Sequence, residues 1–120
     1  MARFVQIPPL DIGRSGQWIL TAELIYESDL MGIVRVPREF ETDLASIPRV
    51  FQPLIQQDGN HRPAAIVHDY LCRSKIVRRK TADRVFREAM QVAGEAAWRR
   101  GAMYGAVRLY SLFLGLIGKA

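Results

Sequence analysis

Within AAIVHDYLC (Ala64–Cys72), two adjacent ionisable residues, His68 and Asp69, stand in a strongly apolar run. Arg62-Pro63 precedes it, and proline suits the first turn of a helix. A helix here would have to bury or half-bury both groups, and an unpaired charge in an apolar setting is expensive. The fold must therefore supply partners. Adjacent helix positions point about 100° apart, so the two side chains cannot share a direction, but both can line a cleft beside the helix. Asp69 can pair with Arg49, Arg79 or Arg108, bind a metal, or accept backbone N–H groups. His68 fits a satisfied, partly buried imidazole, a general base or a metal ligand. Tyr70 fits the core or a hydrogen bond to a carboxylate.

The rest of the chain sets the frame. Trp18–Tyr26 (WILTAELIY) reads as a strand and Gly32–Val36 (GIVRV) as a second, with turn character at Asp29–Gly32, so a hairpin is predicted. Phe4–Ile7 reads as a short edge strand, and Glu39–Thr42 as extended chain. After a polar loop the pattern changes to helical spacing. One helix is predicted from Arg62, with Ala64, His68, Leu71, Cys72 and Lys75 along one face. A second is predicted from Thr81 as N-cap, with Asp83 in its first turn and Ala82, Phe86, Ala89, Met90, Ala93 and Ala97 as its stripe. A third runs over Tyr104–Leu116, with Gly101 as a break before it. The fold class is α+β: a small antiparallel N-terminal sheet packed on two or three C-terminal helices. With 120 residues the chain reads as one domain, 1–120, mainly strands and loops over 1–48 and mainly helices over 62–118.

Composition narrows the function. Cys72 is the single cysteine, which excludes an internal disulfide and a cysteine metal cluster and fits a reducing compartment. It reads as a core residue. Met1–Asp11 has one basic residue and no long apolar run, so it does not read as a signal peptide. The uncharged stretch between Arg108 and Lys119 is about half a membrane span. It reads as a buried terminal helix, or as an apolar helix meeting a membrane surface or a phage or host protein. The formal charge is +5, with Arg73, Lys75, Arg78, Arg79, Lys80 and Arg84 clustered. The cluster has no interleaved aromatics and matches no nucleic-acid module, so nucleic acid is not favoured.

Asp83 lies fourteen residues after Asp69. If the two helices pack antiparallel, its carboxylate could hold the His68 ring; the alternative is capping of its own helix. Asp43, opening the loop after the hairpin, fits an Asp-turn or a salt bridge to Arg49, or a sparse cation site with Asp69, His68 and backbone carbonyls, for calcium or magnesium. No cofactor is required by the spacing. His61 reads as a loop histidine, and Ser46 has no adjacent base.

Two resemblances bear on these residues. FETDLASIPR (Phe40–Arg49), AAIVHDYLC (Ala64–Cys72), TADRVFREAM (Thr81–Met90) and MYGAVRLY (Met103–Tyr110) together resemble a family of uncharacterised small proteins encoded by tailed phages and prophages. That resemblance implies a bacterial-virus origin and a place in the host cytoplasm or the virion. The helical part is also similar to secreted phospholipases of the second type. There a His-Asp pair on one helix serves as base and calcium ligand, and an aspartate on the next helix orients the histidine. The matching residues are His68, Asp69 and Asp83. The disulfides and glycine-rich calcium loop of those enzymes are absent, so Asp43–Pro48 would have to supply the loop ligands. The expected function is an accessory or structural phage protein in which Arg49, Tyr70, Arg79 and Arg108 complete a polar network. The alternative is a metal-assisted hydrolase of an ester such as a phospholipid, with His68 as base, Asp83 orienting it, and Asp69 and Asp43 holding the cation.

Overall fold

Alternation with a period of two builds the N-terminal half. In the computed structural model, which describes residues 1–12, 17–42 and 62–118, strands β1 (Arg3–Gln6), β2 (Leu10–Ile12), β3 (Trp18–Leu20), β4 (Leu24–Ser28), β5 (Gly32–Val36) and β6 (Glu41–Thr42) precede three helices. Along β4, Leu24, Tyr26 and Ser28 are buried and Ile25 and Glu27 are not, so one face meets the core. The predicted hairpin is β4–β5, paired from Leu24↔Val36 to Ser28↔Gly32. Gly32 stands at φ +84°, a left-handed conformation that a β-branched residue would resist. β1 pairs antiparallel with β4 to complete one sheet, in the order β1-β4-β5.

The single strand expected over Trp18–Tyr26 is two strands. Thr21 and Ala22 bend the chain, and the Thr21 amide and hydroxyl both donate to the Pro9 carbonyl, at 3.3 and 2.7 Å. The bend moves the chain from one sheet to another. β3 lies in a second antiparallel sheet, order β2-β3-β6, and β4 in the first.

The helices are α1 (Arg62–Ser74), α2 (Arg79–Val92) and α3 (Ala97–Leu116). Lys75 at φ +57° follows the last residue of α1, and its amide donates back to the Leu71 carbonyl at 3.2 Å. Four residues then link α1 to α2, which forces the two helices antiparallel. α2 begins two residues before the expected start. Its N-cap is Arg78, which makes no side-chain cap bond, and not Thr81. Asp83 is therefore past the first turn, buried and facing inward, where it caps nothing.

The stripe expected to continue to Ala97 is cut short, because α2 ends just before Gly94. Gly94 takes φ +83°, its amide donates to the Gln91 carbonyl at 3.1 Å, and the Glu95 amide donates to the Met90 carbonyl at 3.0 Å. This closes the helix in the glycine-dependent way. Ala97 opens α3 instead of extending the α2 stripe, and α3 runs unbroken through Gly101.

α1 is buried nearly all round, from Ala64 to Asp69 and at Leu71, because it packs on β4 and β5 on one side and on α2 on another. That placement removes both His68 and Asp69 from water although they point in different directions. The core joins Leu24, Tyr26, Val34 and Val36 of the first sheet to Ile66, Val67 and Leu71 of α1, Val85, Phe86 and Met90 of α2, and Met103 and Val107 of α3.

The C-terminal apolar segment needs correction. Leu109, Leu112, Phe113 and Leu116 fall on one side of α3, and all four are exposed rather than covered by Trp18, Ile25, Phe86 or Met90. The helix is held through its other side, by Met103, Ala106, Val107 and Ser111. It carries Arg99, Arg100 and Arg108, and no helix among the described residues is long and apolar enough to cross a membrane. A membrane surface or a phage or host protein as the partner of this helix is therefore withdrawn.

Candidate functional site

The site is assembled where α1, α2 and α3 meet. His68 projects from the middle of α1 toward α2, and Asp83 from the second turn of α2 toward α1 and α3. Both side chains are wholly buried. His68 Nε2 lies 2.6 Å from Asp83 Oδ1. The Phe86 ring, one turn after Asp83, lies 4.8 Å from the imidazole at an interplanar angle of 32°, and fixes the ring plane. The other carboxylate oxygen, Oδ2, accepts from Arg108 Nη1 at 2.9 Å and from Ser111 Oγ at 2.7 Å, both on α3. Arg79 Nε donates to the same Ser111 hydroxyl at 2.7 Å. The pairs 79–111 and 83–108 run in opposite directions, so α2 and α3 are antiparallel.

Burial raises the energy of an ionised Asp83. The hydrogen bonds from His68 and Ser111, the charge of His68 and the bond from Arg108 outweigh that and hold the carboxyl below the usual carboxylate range. An ionised carboxylate only accepts, so Nε2 carries the proton of the His68–Asp83 bond. In the neutral ring the lone pair is then on Nδ1. That atom is buried and has no hydrogen-bond partner among the described residues.

Asp69 belongs to a different contact set. Its Oδ2 accepts from Thr42 Oγ1 at 2.6 Å, and Arg73 Nη1 stands 3.4 Å away. The same Arg73 Nη1 donates to the Glu41 carbonyl at 2.6 Å, so Asp69 ties the end of β6 to α1. Its arginine is thus Arg73, one turn on, rather than Arg79 or Arg108, which serve Ser111 and Asp83. Asp43, Arg49, Ser46 and His61 lie outside the described residues. Tyr70 packs edge-on against Phe40, with ring centroids 5.6 Å apart. The role of Arg73 had one visible signal, its position four residues after Asp69 on a helix. Ser111 carried none, since a lone serine in an apolar helix looks like a solvent-facing residue.

Cys72 is half-buried, with Sγ 3.5 Å from His68 Nε2. Burial pushes its thiol up to about 11; Arg79 works against this, while Asp83 and Asp69 add to it. Cys72 and the Asp83 carboxylate share one imidazole nitrogen, so the ring cannot relay a proton from the thiol toward Asp83. His68, Cys72 and Asp83 nonetheless form a cluster capable in principle of coordinating a metal ion, with ligand atoms all within 4.8 Å of one another. In this structure the Nε2–Oδ1 separation is that of a hydrogen bond. A cation bound by both atoms would have to displace that proton and share Asp83 with the Arg108 charge.

Fold and site define a small α+β protein whose three helices share one buried His–Asp–Arg network. Residues 18–107 match the family described as Protein of unknown function (DUF1353), and the chain belongs to that family. It is the phage and prophage family that its motifs resemble. An uncharacterized protein, y4jT, of Sinorhizobium fredii (strain NBRC 101917 / NGR234) is 35% identical over 77 residues, which are 62% of this chain and 23% of the relative. The chain thus spans less than a quarter of that relative's length. No solved structure matches the chain.

Proposed function

We propose that this protein is a hydrolase of an ester, with His68 as general base and Asp83 as the residue that positions it. The observation that carries this reading is the division of labour on the imidazole. Nε2 is held by a buried carboxylate at 2.6 Å, while Nδ1 has no partner among the described residues. Leaving a buried polar atom unpaired costs about 1–3 kcal/mol. A network built only for stability would recover that energy with a donor at Nδ1. A base needs an Nδ1 lone pair that no donor has taken, and since Nδ1 is buried, water or substrate has to displace its cover to reach it.

Asp83 supports the base in two ways. It fixes the tautomer, and its negative charge offsets the imidazolium that forms when Nδ1 takes a proton. Phe86 prevents rotation of the ring. The ester, and a phospholipid as its source, come from the similarity to secreted phospholipases. The cation of that comparison would lie against Asp69 and Asp43. Asp69 is tied to Thr42, the residue before Asp43 in the chain. A calcium or magnesium ion bound there would polarise the ester carbonyl.

A second reading is an accessory or structural phage protein in which the network only joins the helices. The full occupancy of Asp83 by His68, Arg108 and Ser111 favours it.

The test is hydrolysis of phosphatidylcholine–phosphatidylglycerol vesicles and of a chromogenic acyl ester, with calcium or magnesium. Wild type is compared with His68→Ala, His68→Asn and Asp83→Asn. The hydrolase reading expects turnover that both His68 variants abolish and that Asp83→Asn lowers mainly in kcat. Equal rates in wild type and His68→Ala, or no turnover in folded wild type, leave the structural reading.

A further inference from the structure

A second feature lies on the outer side of α2, away from His68. Arg84, Arg87, Glu88 and Gln91 line a cleft of about 480 Å³ with Leu30 of the β4–β5 turn and Tyr104 of α3. Ligand clefts are commonly ~300–1,000 Å³. Two properties separate this cleft from an ordinary charged surface.

The first is the orientation of Glu88. On an exposed helix, Arg84 and Glu88, four residues apart, would pair. Here Glu88 is turned inward and both its oxygens are used. Oε1 accepts from the Tyr26 hydroxyl at 2.6 Å, and Oε2 from the Asp29 amide at 3.1 Å. Burial first, and then Glu88 itself, hold the Tyr26 phenol well above its ordinary range, so it stays a donor. No ion pair joins Arg84 or Arg87 to a carboxylate among the described residues. Two guanidiniums against one carboxylate leave the cleft net positive.

The second is the fixed geometry of Arg87. Its guanidinium carbon stands 5.2 Å from the centroid of the Tyr104 ring, which orients the fork while leaving its N–H donors free. Arg84 lies three residues earlier on the same helix face and lines the same cleft. A pair of forks one turn apart suits a tetrahedral oxyanion, which offers oxygens to both. A carboxylate is satisfied by one fork. Beside them, Tyr104 and Leu30 offer a flat and an apolar surface.

We propose that this cleft binds a small phosphomonoester whose organic part is flat or apolar, with Arg84 and Arg87 on the phosphate and Tyr104 and Leu30 on the organic group. The proposal is independent of the dyad and survives if no hydrolysis is found.

The test is titration of the whole chain with inorganic phosphate, phenyl phosphate and benzoate, followed by calorimetry and amide NMR shifts. Phenyl phosphate is expected to bind saturably, more tightly than inorganic phosphate or benzoate, with shifts at residues 84–91 and 104. Replacing both guanidiniums in Arg84→Gln/Arg87→Gln should weaken it about tenfold or more. Arg3→Gln/Arg35→Gln removes the same charge from exposed ion pairs elsewhere and should change binding by less than about twofold. Tyr104→Leu should weaken phenyl phosphate more than inorganic phosphate. All these positions are exposed or half-buried, and circular dichroism establishes that each variant is folded. Absence of saturable binding overturns the site. Equal loss in the two double variants reduces it to general charge attraction, and benzoate binding as tightly as phenyl phosphate overturns the phosphate assignment.

Discussion

Asp83→Asn removes one charge and changes almost no volume, so it isolates what the carboxylate does. The carboxylate accepts from His68 at 2.6 Å, Ser111 at 2.7 Å and Arg108 at 2.9 Å. An amide has one accepting oxygen and one donating NH2. If its oxygen faces Arg108 and Ser111, its NH2 faces Nε2, which can accept only after the ring proton moves to Nδ1, where no described acceptor stands. If its oxygen faces His68, its NH2 meets the Arg108 guanidinium, donor against donor. Either way a buried donor is unsatisfied, at about 1–3 kcal/mol. Arg108 also loses its counter-ion, and breaking a buried pair costs roughly 3–5 kcal/mol. Arg108 is 21% exposed, so water recovers part of that, and the expected loss is about 3 kcal/mol, the lower end of the range for a broken buried pair. For a chain of this size that is a fall in Tm of about 10 °C. The sign with pH follows from the lowered carboxyl of Asp83. Between its folded value and its unfolded value, ~3.9, the unfolded state binds more protons, so stability rises with pH across that window. The stability that ionised Asp83 contributes is present above about pH 4 and is lost as pH falls through the folded value. Asn lacks this slope. Urea and thermal unfolding followed by circular dichroism should therefore show a gap between the two proteins at pH 7 that narrows on acidification. A gap below about 1 kcal/mol at pH 7, or one that does not narrow, would refute the reasoning.

Three further outcomes are expected. Gly94→Ala should destabilise by about 1–2 kcal/mol, since only its φ of +83° opposes a side chain and nothing lies within 4 Å of the added Cβ. Gly105→Ala, equally open but inside α3, should stabilise by about 0.5–1 kcal/mol, and urea midpoints of the two variants read the opposite signs. Tyr26→Phe should cost about 1–2 kcal/mol in urea unfolding, because it leaves Glu88 Oε1 without its donor. With its pKa at about 11, Cys72 should alkylate far more slowly at pH 7 than a free cysteine; added zinc should protect it further if His68, Cys72 and Asp83 bind the ion, and His68→Ala should remove that protection.

Much of the architecture was readable from local pattern. The β4–β5 hairpin follows from alternation on either side of Asp29–Gly32, and α1 from Pro63 and the apolar run behind it. The misreadings share a cause: each was settled by the path of the backbone, which residue type alone does not show. Thr21 breaks a convincing strand because Pro9 accepts from it. Thr81 has good cap chemistry, yet α2 starts at Arg79 with Arg78 as its N-cap, so Asp83 falls past the first turn. The apolar stripe reaches on to Ala97, yet α2 stops before Gly94, where the Glu95 amide returns to Met90. At the site, His68, Asp69 and Asp83 were conspicuous as charges in apolar surroundings. Which arginine each carboxylate takes was not, because Arg73, Arg79 and Arg108 are equally plausible until the helices are docked.

The docking also decides which imidazole nitrogen is left without a partner among the described residues. Asp83 occupies Nε2 through one oxygen and commits the other to α3, through Arg108 and Ser111. Arg108 thereby compensates a charge that His68 would otherwise have to balance alone. With a guanidinium on its far oxygen, the carboxylate has a counter-ion besides the imidazole. The third helix is thus part of the network around His68 even though it bonds to neither ring nitrogen. This also accounts for an arginine and a serine buried or half-buried on a helix that is otherwise apolar along the same stretch: both donate to the aspartate that holds the His68 ring.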